Sequence, residues 1–189
     1  MTRERRPETE GPHQKFSPRE LDRFDEHVLP WLDAANNLAR YLLRDAHEAE
    51  DAVQEAFVRA ISHFADFRGA DGRAWLLTIV RNSCFTQLRR RRSGGEKVEF
   101  DEEMHTVEDT ASGPEADLER TIAAASVREG LDHLAVEFRE VLVLRELEGM
   151  SYKEIAQVTG TPIGTVMSRL ARGRRQLAVA LGATFEEEE

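Results

Sequence analysis

Five side chains in one short stretch, Thr165, Ser168, Arg169, Arg172 and Arg175, have the chemistry to hold a polyanion. Guanidinium groups donate paired hydrogen bonds to phosphate oxygens or to the acceptor edge of guanine, and hydroxyls add single bonds beside them. From Pro162 to Leu177 there are four arginines and no acid. A solvated basic helix is the plainer explanation of such a run. The elements that position it argue instead for insertion into DNA.

Those elements can be read residue by residue. Ser151 and Glu154 form a Ser-x-x-Glu capping box, which marks a helix start. Met150 and Ile155 have the spacing of a hydrophobic staple around it. Ile155, Ala156 and Val158 supply that helix's apolar side. Gly160 suits a turn with positive φ. Thr161 is expected to cap the next helix, with Pro162 at its first position. Val166 and Leu170 point inward at i, i+4, and Leu177 continues their face, so the five polar residues are left outside. Helix, tight turn and basic second helix make a helix-turn-helix.

A second basic segment lies upstream. Residues 73–92 contain six arginines, Arg73, Arg81, Arg89, Arg90, Arg91 and Arg92, and no acid. Trp75, Leu76, Ile79, Val80 and Leu88 give this segment a helical core face. Before it, Asp45 and Glu48 open a helix with Ala49, Val53, Ala56, Phe57, Ala60, Ile61 and Phe64 on its apolar side. Its other side shows Glu48, Asp51, Gln54 and Glu55. A loop over 66–72 separates the two helices, and residues 20–43 form earlier helical segments interrupted at Pro30.

Ser93-Gly-Gly breaks the chain. Residues 96–119 then hold ten acids against Lys97, with poor periodicity. This is too long for a routine connection inside a compact domain. The expected organisation is all-α. A tail covers 1–19, a first small helical domain 20–92, a flexible acidic linker 93–114, a second domain with the helix-turn-helix 115–182, and an acidic tail 183–189. Within the second domain Phe138, Val141, Leu142 and Leu144 mark a helix over 136–147 that ends at Gly149.

Composition excludes several function classes. A single cysteine, Cys84, cannot form an internal disulfide and points to a reducing cytoplasm. Scattered histidines match no metal site, and no cofactor motif is present. No nucleophile stands beside a base, so an enzyme is not expected. No apolar run reaches the roughly 20 residues of a membrane span, and the first residues lack a signal peptide's apolar core. The net charge of −10 opposes free association with DNA. Local basic surfaces on an acidic whole should bind DNA well only when a partner supplies affinity.

Two motifs, in order, resemble the bacterial sigma factors of RNA polymerase. Asp51-Ala-Val-Gln-Glu-Ala-Phe57, then Phe67-Arg-Gly and Ala74-Trp-Leu-Leu-Thr-Ile-Val-Arg-Asn82, are similar to the family's second region. Phe138 through Ala156 and the basic helix after it are similar to the fourth. The short linker with no middle domain resembles the extracytoplasmic-function subgroup. The resemblance implies that Asp51, Gln54 and Glu55 bind the clamp helices of core RNA polymerase, with Phe57 shaping their helix from beneath. It implies that the 66–72 loop and the following helix engage the promoter's minus-ten element, duplex and melted, through Phe67, Arg68, Arg73, Trp75, Arg81, Asn82, Arg89 and Arg90. Trp75, by its helical spacing, also suits a core role. Holding an unstacked base needs a pocket and cations rather than a covalent catalyst. The basic helix would read the minus-thirty-five element through Thr165, Ser168, Arg169, Arg172 and Arg175. An anti-sigma factor is a further expected partner. The family implies that the acidic linker passes through polymerase's nucleic-acid channel, and ordinary solvated disorder is an equal reading of the same residues. Two departures stand out: Met167 occupies a position often basic in relatives, and Ala135-Val136 replaces a proline-containing helix break. A stand-alone helix-turn-helix regulator is the alternative; it would bind its operator tightly without polymerase.

Overall fold

The computed structural model describes residues 17–69, 71–94 and 124–182, and these residues carry helices and no strand. The tail before residue 17, most of the expected linker and the residues after 182 lie outside the described residues. Helix α1 spans Pro18–His27, two residues inside the expected tail, because Ser17 and Glu20 form a reciprocal capping box at its start. A 3₁₀ turn over Leu29–Trp31 carries the Pro30 interruption into α2, Leu32–Leu43. Helix α3 spans Ala46–His63, with the Asp45 carboxylate accepting from the Glu48 N–H at 2.8 Å. Helix α4 runs Gly72–Gly94, slightly longer than expected at each end.

Helices α2, α3 and α4 pack on one another around Leu38, Leu42, Ala52, Ala56, Leu76 and Val80. The alanines on α3 let its backbone approach α2 and α4 closely, so the core of this first unit is built from small residues against leucines. Its far end is aromatic. Phe64 stacks on Phe67 at 5.6 Å, Phe67 lies 4.9 Å from Trp75, and Phe24 meets Phe64 edge-on at 5.1 Å. Gly72 is required where α4 begins: a Cβ there would stand 1.8 Å from the His27 carbonyl oxygen.

The second unit begins with helix α5, residues 124–132. Helix α6 spans Val136–Leu142, capped at Ala135, whose carbonyl accepts from the Phe138 and Arg139 N–H groups. The helix then widens into a π-helical turn over Val143–Leu147, where the Glu148 N–H reaches back to the Val143 carbonyl. Helix α7 is Tyr152–Thr159 and α8 is Ile163–Ala180. Both bonds of the Ser151–Glu154 box form, and Met150 and Ile155 are buried as a staple requires. Gly160 takes the left-handed conformation, φ 64°. One local expectation is corrected: Pro162 itself caps α8, and Thr161 shares a hydroxyl–hydroxyl bond of 2.8 Å with Thr159. Proline at the cap leaves its extended ψ of 147° to turn the chain into the helix.

The units pack together, α6 against α2 and α7 against α4.

Candidate nucleic-acid and polymerase interface

Helix α8 is locked from behind. Val166, Leu170 and Gly173 are buried, and a Cβ on Gly173 would come within 3.1 Å of Leu142. Rotation about the helix axis is therefore fixed by packing on α6. Ser168, Arg172 and Arg175 project into solvent, whereas Thr165 and Arg169 are half-buried on the flank. Ile163 and Met167 are also exposed, at i, i+4 on the opposite flank. Arg174 is committed elsewhere, donating to Glu146 at 2.7 and 2.9 Å. The reading face thus carries two guanidinium groups and a hydroxyl on a rigid support, which matches what a groove-reading helix needs.

On α3, Asp51 and Gln54 are exposed and Glu55 is half-buried, held by Arg59 at 2.6 Å. Phe57 sits beneath them, half-buried and edge-on to Phe24 at 6.4 Å. The Glu48 carboxylate, on the same side, accepts from Arg91 Nε at 2.7 Å. One of the four tandem arginines is therefore folded back on α3, while Arg90 and Arg92 remain exposed. Arg89 donates to the Phe85 carbonyl.

The family is decided by comparison with known proteins. Residues 26–94 match the model described as sigma-70 region 2, and residues 124–177 match sigma-70, region 4. The chain is 36% identical to RNA polymerase sigma-H factor of Pseudomonas aeruginosa, over 87% of this chain and 89% of that protein.

The chain belongs to the extracytoplasmic-function sigma factors.

A second relative, the sigma factor SigE of Mycolicibacterium smegmatis, is also 36% identical, over 82% of this chain and 60% of that protein. Among solved structures, the sigma factor RpoE of Bartonella quintana in complex with the anti-sigma factor NepR superposes with a TM-score of 0.71. It is 28% identical and covers 87% of this chain and 99% of its own. CnrH in complex with the cytosolic domain of CnrY gives 0.58, at 27% identity, over 89% and 92% of the two chains.

In this sigma factor the expected minus-ten residues divide into three groups. Arg68 and Asn82 are exposed, as are Arg89 and Arg90. Phe67 and Trp75 belong to the aromatic cluster, Phe67 buried and Trp75 half-buried. Phe67 anchors the start of the loop by stacking on Phe64 and lying against Trp75. Arg73 and Arg81 are neither free nor core: both are ion-paired to the region 4 unit.

Arg73 donates to Glu148 Oε2 at 2.9 Å and lies over the Trp31 ring at 5.0 Å. Arg81 makes a forked contact with both oxygens of Glu140 and lies over the Phe85 ring at 4.3 Å. Glu140 is wholly buried. Burial pushes its carboxyl above the ordinary range, offset by the bond and charge of Arg81 and by the charge of Arg169; Glu137 adds to the rise. Glu140 and Glu148 were missed by sequence reasoning. A signal for Glu140 existed: it stands at i, i+4 between Val136 and Leu144, an acid in an apolar register. Cys84 is buried, and burial pushes its thiol up to about 12, which fits the expected packed thiol.

Among the described residues no helix is long and apolar enough to cross a membrane, and no group of three His, Cys, Asp or Glu side chains is placed to hold a metal ion.

Proposed function

We propose that this sigma factor works in the cytoplasm as a non-catalytic specificity subunit, with a separate task for each face. The exposed side of α3, Asp51, Gln54 and Glu55, docks on core polymerase. The loop before α4 and the arginines of α4 hold the melted minus-ten strand. Helix α8 enters the major groove at the minus-thirty-five element, with Arg172 and Arg175 donating to bases or phosphates beside Ser168. An anti-sigma factor restrains the protein, a reading supported by its likeness to RpoE in complex with the anti-sigma factor NepR.

The observation that carries this reading is the orientation of α8. Its apolar face is closed against α6, and its only large polar face carries unpaired Arg172 and Arg175 among the described residues. The acidic whole, with net charge −10, explains why such a helix would serve in company rather than alone.

The test is transcription from a promoter library by core polymerase with and without the protein. Selective initiation is expected; none, or tight operator binding by the isolated chain at physiological salt, would sink the proposal. Replacing Asp51 and Gln54 together by Ala should weaken holoenzyme assembly by about tenfold, the scale of a modest interface hot spot. Unimpaired assembly would mean the docking face lies elsewhere.

A further inference from the structure

We propose that Ile163 and Met167 read thymine methyl groups, so that the minus-thirty-five element of this sigma factor is recognised partly by apolar contact. The inference rests on the reading that α8 enters the major groove, and it names what one flank of that helix meets there.

Helix α8 has a surface that neither its core nor its polar face explains. Ile163 and Met167 are 46% and 53% exposed. They stand at i, i+4, and exposed Ala171 continues their row for another turn. The row borders the one that holds Ser168, Arg172 and Arg175. Packing is closed without it, by Val166, Leu170 and Gly173.

The first turn of this flank is open. A Cβ on Gly164, beside Ile163, would meet no atom within 4 Å. The flank also lacks a free charge among the described residues. Arg174, one heptad beyond Met167, is bonded to Glu146 at 2.7 and 2.9 Å. No acid stands in the first turn of α8, although a helix N-terminus favours one. An acid there would repel phosphate.

Single exposed apolar side chains are ordinary. This row differs in its place. The first residues of a groove-reading helix are the ones that meet base edges, and Ile163 begins α8. The apolar group on the base edges of the major groove is the C5 methyl of thymine. An aliphatic or thioether side chain gains by removing that methyl from water. It leaves the amine of cytosine and the oxygen of guanine without a partner, which disfavours those bases. Met167 suits the task, because three rotatable bonds and a polarisable sulfur let it follow a methyl. An arginine in its place would favour guanine or phosphate instead. The arginines of α8 then supply attraction to the polyanion, and the apolar row marks where thymine must stand.

Removing single methyls from DNA tests this. Holoenzyme made with the full-length protein selects promoters from a library. Each thymine of the selected minus-thirty-five element, on either strand, is then replaced singly by deoxyuridine, which lacks the methyl and keeps every hydrogen-bonding group. Holoenzyme binding should weaken by about fourfold at the positions these side chains reach, the effect of one buried methyl. Replacing Ile163 and Met167 together by Ala should abolish that penalty. Both side chains are exposed and Ala favours helix, so the fold should persist. Arg172→Ala should bind less tightly and keep the penalty. Equal binding of deoxyuridine and thymine at every position overturns the proposal, as does a penalty that survives the double replacement or a selected element without thymine. In those cases a sequence preference that Arg172→Ala weakens would still uphold the reading of α8. A selection that returns no preference in this element overturns both.

Discussion

At the scale of single residues, the cations differ in what they can do. Arg172 points away from every other element, so its loss should leave the fold intact. Arg172→Ala is expected to lower binding to the preferred minus-thirty-five sequence, measured in the holoenzyme. If it reads a guanine it should erase about 1–3 kcal/mol of discrimination at one base pair; a uniform loss across sequences would mark a phosphate contact instead. The Ser151–Glu154 box makes a pH prediction. The bonds from Ser151 hold the Glu154 carboxyl below its ordinary value of 4.5, with Arg73 adding to the effect. A lowered folded value means stability that is present above the unfolded value and lost as pH falls through the folded one. Thermal unfolding of the wild type should therefore steepen below pH 4.5, and Glu154→Gln should remove this contribution. Ser151→Ala should cost about 1 kcal/mol at neutral pH by the same measurement.

At the scale of elements, local chemistry was legible where it is self-contained. The box at Ser151, the left-handed turn at Gly160 and the staple of Met150 and Ile155 each involve residues within a few positions of one another, and each forms. The α3 face and the break at Pro30 were legible for the same reason. What escaped depends on distant partners. Phe67 looks like an exposed loop aromatic until Phe64 and Trp75 close around it. Arg73 and Arg81 look free until α6 and its π-helical turn arrive with their acids, and nothing local announces a π-helical turn. Gly72 is another such case, since only the fold shows that the His27 carbonyl occupies its side-chain space. Gly72→Ala should destabilise region 2 by about 1–3 kcal/mol, the usual cost of overpacking. Denaturant unfolding is the check, and a neutral result would mean that α1 can move off the start of α4.

At the scale of the whole molecule, region 4 packs on region 2 through α6 and α7 and leaves the polar face of α8 open. Arg81 and Arg73 are turned inward while Asp51 and Gln54 on α3 stay exposed. The proposed order of events is then polymerase first and promoter second. This agrees with an acidic protein that gains little from meeting DNA unaided. A truncated chain ending before α5 lacks Asp132, Glu140 and Glu148, and its region 2 arginines should be open from the start. Such a fragment should compete for single-stranded DNA better than the full-length protein does, in a fluorescence titration at equal salt.

Glu140 sits between Arg81 of α4 and the charge of Arg169 on α8. Of the two, only Arg81 is bonded to that carboxylate, and Arg172 and Arg175 on α8 are already exposed. Parting the units would therefore change the surface of region 2 far more than that of α8.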